Sequence, residues 1–141
     1  MPGSATTLVE QQSLGHFLAF APATAPTGVF LALCQAAPPP TASRPGLEII
    51  GNGYQRQAVT FALIAPPPTI AANTATIVFP AATANWGSIG WFEIWSALTA
   101  GNRLFWGPLV DPTDGVTNLT RTVLSGDIVR FTAGVIQVQA T

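Results

Sequence analysis

The sequence predicts an all-β protein, either an antiparallel β-sandwich or a jelly-roll-like small barrel, with a short helix or arm at its N-terminus. About eight short apolar segments follow one another, and turn residues separate them at intervals of roughly 8–15 residues. No helical pattern recurs between these segments, which argues against a parallel α/β sheet. The 141 residues fit one domain. We expect residues 1–27 to form the arm or helix and residues 28–141 the β-sandwich domain.

The first predicted element is a short helix within Thr6–Phe20. Thr6 or Thr7 is a suitable N-cap, and the carboxylate of Glu10 in the first turn suits the helix dipole. Gly15 weakens the helix. Its expected apolar stripe consists of Leu8, Leu14, Phe17 and Leu18.

The predicted strands begin with the compact apolar run Gly28–Gln35, which is typical of a buried strand. Tyr54–Ile64 alternates with period two, as a strand with two different faces does. Two proline triplets, Pro38–Pro40 and Pro66–Pro68, are expected in surface loops. The remaining predicted strands are Thr74–Phe79, Ser88–Ser96, Arg103–Leu109, Val116–Leu124, Asp127–Phe131 and Val135–Gln139.

Charged residues are scarce: the chain has five Arg, no Lys and six Asp or Glu, which is 8% of its residues. An ordinary soluble domain carries about 25%. With 48% apolar residues and a net charge of -1, the composition favours a surface that neighbouring subunits cover. The sequence lacks the basic stripe that is typical of nucleic-acid-binding proteins, so we expect no nucleic acid as a partner. We see no apolar run of membrane-spanning length and no secretory signal, so we expect synthesis in a bacterial host cytoplasm and no membrane partner.

Few residues suggest catalysis. His16 is the only His, and no nucleophile-elbow motif or cluster of carboxylates accompanies it. Cys34 lies in the apolar run and is expected to be a small buried side chain. Asp111–Gly115 faintly resembles a calcium loop but lacks the further oxygen ligands, so we interpret it as a turn. We expect no enzyme activity, no cofactor, no metal and no small-molecule substrate.

Aromatic residues cluster in the second half of the chain, where Trp86, Trp91, Trp95 and Trp106 occur. The strand Ser88–Ser96 is apolar on both faces except at Glu93, as in a strand inside a sandwich or against a partner subunit. A carbohydrate-binding platform of stacked Trp side chains is the alternative. Arg56 and Glu93 are isolated charges among apolar or small residues, so we expect each to be paired, within the subunit or across an interface.

The segment Gly51–Phe61 resembles the G-G-Y-A-R-Q-x-V-x-F signature of a family of small bacteriophage virion proteins. Phe79–Gly87 is similar to its F-P-x-A-x-x-x-W-G stretch, and Gly101–Leu109 to its G-N-L-L-F-Y-G-x-L strand. The likeness covers about residues 8–139. The chain departs from the family pattern at Trp95, where the family has Phe, and at Ser96, where it often has Asp.

The resemblance implies a structural role in a virion and no enzymatic activity. Family members are described as tail-fibre or minor structural proteins, and similar proteins serve as capsid cement or decoration proteins. Our primary hypothesis is a cement protein on the capsid surface that clamps neighbouring major capsid subunits and forms a trimer or dimer with itself. The alternative is a tail-fibre or receptor-binding module that recognises host glycans. The candidate interface residues are Leu8, Leu14, Phe17, Tyr54, Arg56, Trp86, Trp91, Glu93, Trp95 and Trp106.

Overall fold

The computed structural model describes residues 3–21, 23–64, 69–111 and 117–139, and it confirms the all-β fold class. One helix, α1 (Thr7–Phe17), follows the first strand. The strands are β1 (Gly3–Ala5), β2 (Val29–Gln35), β3 (Gln57–Val59), β4 (Phe61–Leu63), β5 (Ile70–Asn73), β6 (Ile77–Val78), β7 (Gly87–Trp95), β8 (Arg103–Pro108), β9 (Arg121–Val123), β10 (Arg130–Phe131) and β11 (Gln137–Gln139).

The main sheet is a nearly closed barrel with the strand order β3-β2-β7-β8-β1-β11-β5-β4. Its neighbouring strands are antiparallel except for β1 and β11, which run parallel. β9 pairs with the first residues of β7, and β6 and β10 form a separate two-stranded sheet. The parallel pair is a departure from the purely antiparallel sheet that the sequence predicts.

One extended segment brings the two edges of the barrel together. β3 and β4 occupy opposite ends of the strand order, yet only Thr60 separates them in the chain. The predicted strand Tyr54–Ile64 is therefore divided, because its first part pairs with β2 and its second part with β5. The Thr60 carbonyl also accepts a hydrogen bond of 2.9 Å from the Thr74 amide. In a regular barrel, hydrogen bonds between the two edge strands would close the sheet. Here the peptide chain through Thr60 joins the two edges.

Other predicted strands are present but shorter than expected. β6 and β9, for example, occupy only part of Thr74–Phe79 and Val116–Leu124. β1 and β5 were not predicted, because their small or mixed side chains give no clear alternation. The predicted loop Pro66–Pro68 and most of the predicted turn Asp111–Gly115 lie outside the described residues.

The helix α1 is confirmed, with Thr6 as its N-cap, and the larger part of its predicted apolar stripe is exposed. The Oγ1 of Thr6 accepts a hydrogen bond from the Val9 amide. Gly15 is the buried residue of the helix, because Ala21 folds back over it: a Cβ on Gly15 would lie 2.9 Å from the Cβ of Ala21. The large side chains Leu14 and Phe17 point to the other side and are exposed.

The predicted N-terminal arm contains a strand of the barrel. β1 lies between β8 and β11, so Gly3–Ala5 share one sheet with strands of the predicted β-sandwich domain. Small residues make this insertion possible. A Cβ on Gly107 would lie 2.6 Å from the Cα of Gly3 and 2.9 Å from the ring of Phe92. Glycine at these two positions therefore lets β1 and β8 approach each other closely, and the ring of Phe92 packs against both glycines.

The core occupies the barrel interior and extends to the small sheet. Its members include Leu31, Leu33, Phe92 and Ile94, which point inward from β2 and β7. An aromatic cluster continues it toward β6 and β10, and it consists of Tyr54, Phe79, Trp86 and Phe131. The contact distances of these rings, 5.5–6.4 Å between centroids, are those of favourable aromatic pairs.

Candidate functional site

The outer face of β7 carries the residues that the sequence singled out. Successive side chains of a strand alternate between faces, so Trp91, Glu93 and Trp95 point outward where Phe92 and Ile94 point inward. The loop between β2 and β3 covers part of this outer face. The amide of Gly46 in that loop donates to Glu93 Oε2 at 2.9 Å. The chain thus buries β7 on both faces with its own loop.

Glu93 lies at the centre of a buried polar network. Its side chain is fully buried, and Arg103 NH1 donates to its Oε2 at 3.2 Å. Trp95 Nε1 donates to its Oε1 at 3.2 Å. Arg103 is itself 9% exposed and also donates from NH2 to the carbonyl of Thr41. These bonds attach the proline-rich loop to β7 and β8.

Arg56 forms a second ion pair beside the first. Its Nε and NH2 donate to the two carboxylate oxygens of Glu48 at 2.9 and 2.8 Å, a bidentate geometry. Its NH1 donates to the carbonyls of Ala97 and Ala100, both at 2.9 Å. Its guanidinium carbon lies 4.2 Å from the ring centroid of Trp95. Arg56 therefore connects the loop after β2 with the turn between β7 and β8.

Trp95 joins the two ion pairs into one network, since it contacts Arg56 with its ring and Glu93 with its indole N–H. The prediction that Arg56 and Glu93 are paired is confirmed, and both partners lie within the subunit. Those partners, Glu48 and Arg103, were not predicted from the sequence. The sequence feature that could have identified Arg103 is its position as a charged residue at the start of the otherwise apolar strand β8.

The electrostatics of this network oppose chemical reactivity. Burial, with Glu93 nearby, raises the pKa of the Cys34 thiol, so Cys34 stays protonated and is a poor nucleophile. Burial and Glu48 raise the pKa of Tyr54, whose hydroxyl donates to Glu48 at 2.7 Å. The hydrogen bond with Glu48 raises the pKa of Arg56, whereas burial lowers that of Arg103. The hydrogen bonds of this network stabilise two loops.

Four of the predicted interface residues lie largely inside the subunit. Trp86 is 4% exposed, packs in the core and donates from Nε1 to the carbonyl of Asn52 at 2.8 Å. Glu93 and Arg56 are buried in the network, and Tyr54 is mostly covered. These residues fill the interior because the barrel and its loop close over them. Within the subunit, all four side chains make internal contacts.

The other three Trp residues are half-buried. The rings of Trp91 and Trp106 lie 6.2 Å apart at 40°, and Trp91 Nε1 donates to the carbonyl of Ala36. Trp95 uses one ring face for Arg56. The tilted rings do not form the open row of stacking faces that the carbohydrate alternative requires.

A large apolar surface is exposed at the end of α1. We call it the helix patch, and it consists of Leu14, Phe17, Leu18 and Phe20, which are 59–81% exposed. Leu14 and Phe17 are thus accessible, as interface candidates must be, whereas Leu8 is only partly exposed. Contiguous exposed apolar side chains mark contact sites in proteins.

A cavity of about 330 Å³ opens where β8 ends and β9 begins, beside β10. Apolar side chains such as Leu109, Leu119 and Phe131 line most of it, and Arg121 and Arg130 lie at its wall. We call it the arginine cavity. In the described part of the chain, neither of these two Arg side chains has a hydrogen bond or ion pair.

Within residues 3–21, 23–64, 69–111 and 117–139, no three His, Cys, Asp or Glu side chains come together as a metal would require. The described helix is too short and too polar to cross a membrane.

The chain matches a known protein family over most of its length. The model of the family described as Gp80, podophage GP4 fiber I protein gp80, matches residues 4–139. No curated protein matches the chain. The matched region includes α1, every strand from β2 onward, the buried network and the arginine cavity.

Proposed function

The chain belongs to the Gp80 family of the podophage GP4 fiber I protein, and from this premise we propose that it is a structural subunit of a virion fibre that associates with copies of itself. Membership makes it a phage virion structural protein. The fibre location rests on the family's description. The observation that supports self-association is the helix patch, where four large apolar side chains stand exposed on a chain with few surface charges.

The buried network supports a passive mechanical role. Two ion pairs and their hydrogen bonds hold the loop before β3 and the turn after β7 against the barrel. Such fixed loops lose little conformational freedom when they contact a neighbour, so more of the contact free energy remains as affinity. We propose no catalytic role, because the one buried thiol is held protonated.

Recognition of host glycans is the less favoured form of the fibre hypothesis. A glycan platform needs open aromatic faces with polar groups beside them. Trp86 is buried, and Trp95 already stacks on Arg56. We therefore propose no glycan-binding role for the Trp side chains.

Capsid cement is the second candidate function. The observation in its favour is the loop that contains Pro38 and Pro39, which is exposed yet anchored through Thr41 and Gly46. A rigid exposed loop is suited to clamp neighbouring major capsid subunits on the capsid surface. The helix patch would then contact the capsid, and many weak contacts would add through avidity.

Copy number separates the two functions. We expect quantitative mass spectrometry of purified virions to find a few to a few tens of copies for a fibre, against hundreds for cement. Immunogold labelling then locates the protein on the fibre or on the capsid shell. Hundreds of copies on the shell would overturn the fibre assignment, and absence from purified virions would overturn both functions.

A further inference from the structure

Two unpartnered surfaces lie at opposite ends of β8. The helix α1 packs beside the start of this strand, where Leu104 and Phe105 face helix residues across a groove. The arginine cavity begins where the strand ends, at Pro108 and Leu109. Five residues of extended chain separate Leu104 from Leu109, which is about 16 Å. The helix and the cavity are therefore too far apart to meet within one subunit.

The exposed face of α1 combines one negative charge with the helix patch. Glu10, Leu14 and Phe17 stand at positions i, i+4 and i+7, so they lie on one side of the helix. All three are exposed, and Phe17 is 81% exposed. In the described part of the chain, Glu10 has no ion-pair partner. This face offers a carboxylate followed by two large apolar side chains.

The arginine cavity has the complementary character. Three of the five Arg side chains, Arg44, Arg56 and Arg103, are hydrogen-bonded within the subunit. The other two, Arg121 and Arg130, have no partner in the described part of the chain, and both lie at this cavity. Apolar side chains form the rest of its wall. A cavity with apolar walls and two unpaired guanidinium groups is suited to bind an apolar surface that carries a negative charge.

We propose that the exposed face of α1 of one copy docks into the arginine cavity of a second copy. Phe17 and Leu14 enter the apolar part of the cavity, and Glu10 meets Arg121 and Arg130 at its edge. The charge complementarity is specific, because the chain has few other charges that could compete. This inference rests on the proposed self-association and names the contact that carries it.

The geometry makes this contact head-to-tail. The donor surface and the acceptor surface are different and lie at opposite ends of β8. Such heterologous contacts produce a closed ring or an open filament, depending on the rotation between neighbours. A subunit that stacks in this way is suited to the shaft of a fibre.

Sedimentation velocity on the purified full chain over a concentration series tests the proposal. Glu10→Arg is expected to weaken self-association at least about tenfold, because it places a third cation beside two others. Arg121→Glu is expected to weaken it by a similar factor. The double variant Glu10→Arg with Arg121→Glu restores opposite charges, and we expect its association to return to within about threefold of the parent.

Matched controls separate this contact from a general loss of charge or apolar surface. Gln11→Arg adds a cation one position along the helix, on a different side, and is expected to leave association unchanged. Phe17→Ala is expected to weaken association about tenfold, whereas Ile50→Ala, at a residue 88% exposed elsewhere, is expected to have no effect. Circular dichroism confirms that each variant is folded.

Several results would overturn the contact. One is a parent protein that stays monomeric up to about 1 mM. Another is association that neither Glu10→Arg nor Phe17→Ala weakens, and a third is a charge swap that fails to restore it. If the protein is abundant in virion fibres while any of these holds, only the contact is wrong; if it is absent from virions, the proposed function is wrong.

Discussion

Replacement of Glu93 with alanine is expected to destabilise the barrel strongly, because it leaves the guanidinium of Arg103 buried without its counter-ion. Glu93 is fully buried and accepts hydrogen bonds from Arg103, Trp95 and the Gly46 amide. Removal of one partner of a buried ion pair costs about 3–5 kcal/mol. Since Arg103 keeps its hydrogen bond to Thr41, we expect the lower end, about 3 kcal/mol.

Urea denaturation followed by Trp fluorescence measures this loss as a lower midpoint. For a chain of this size the loss corresponds to a decrease in Tm of about 10 °C. Glu10→Gln is the matched control, since it removes an exposed carboxylate from the first turn of α1 and is expected to cost less than about 1 kcal/mol.

A double variant shows whether the cost comes from the unpaired cation. Glu93→Leu combined with Arg103→Met removes both charges, and apolar replacements of buried ion pairs are often neutral. We expect this double variant to be more stable than Glu93→Ala, although the Gly46 and Trp95 N–H groups lose their acceptor. The reasoning is refuted if Glu93→Ala costs under about 1 kcal/mol. It is also refuted if the double variant loses as much stability as the sum of the losses in Glu93→Leu alone and Arg103→Met alone.

Three further predictions concern the same barrel. Arg56→Lys should lower the free energy of unfolding by about 2 kcal/mol, because an ammonium group cannot form both the bidentate ion pair and the two hydrogen bonds to carbonyls. Thermal unfolding measures this loss, and an unchanged Tm would contradict the prediction. Gly107→Ala should cost about 1–3 kcal/mol and speed amide exchange in β1, while Gly28→Ala, whose Cβ would meet nothing closer than 3.7 Å, should do neither. Since burial raises the pKa of Cys34 and of Tyr54, the folded state holds both protons more tightly than the unfolded chain. Their contribution to stability is therefore complete below about pH 9 and decreases as the pH rises further. Urea midpoints between about pH 8 and pH 11 check this, and a constant midpoint would contradict it.

The sequence alone determined the local features that a short pattern can specify. The run Val29–Gln35 forms the predicted buried strand, because its continuous apolar character suits a strand covered on both faces. Thr6 caps α1 as predicted, since a hydroxyl before a helix satisfies a free amide there. The need of Arg56 and Glu93 for partners also followed from the sequence, because a buried charge must be compensated.

Only the tertiary structure decided which residues meet and which face is covered. The partners of Arg56 and Glu93 are Glu48 and Arg103, which the register of β7 with β8 and the path of the loop before β3 bring into reach. The periodicity of a helix shows which residues share a face but not which face lies inside, so it did not predict that Leu14 and Phe17 are exposed and Gly15 is buried. Long-range pairing determines these outcomes, and no local pattern of the chain encodes it.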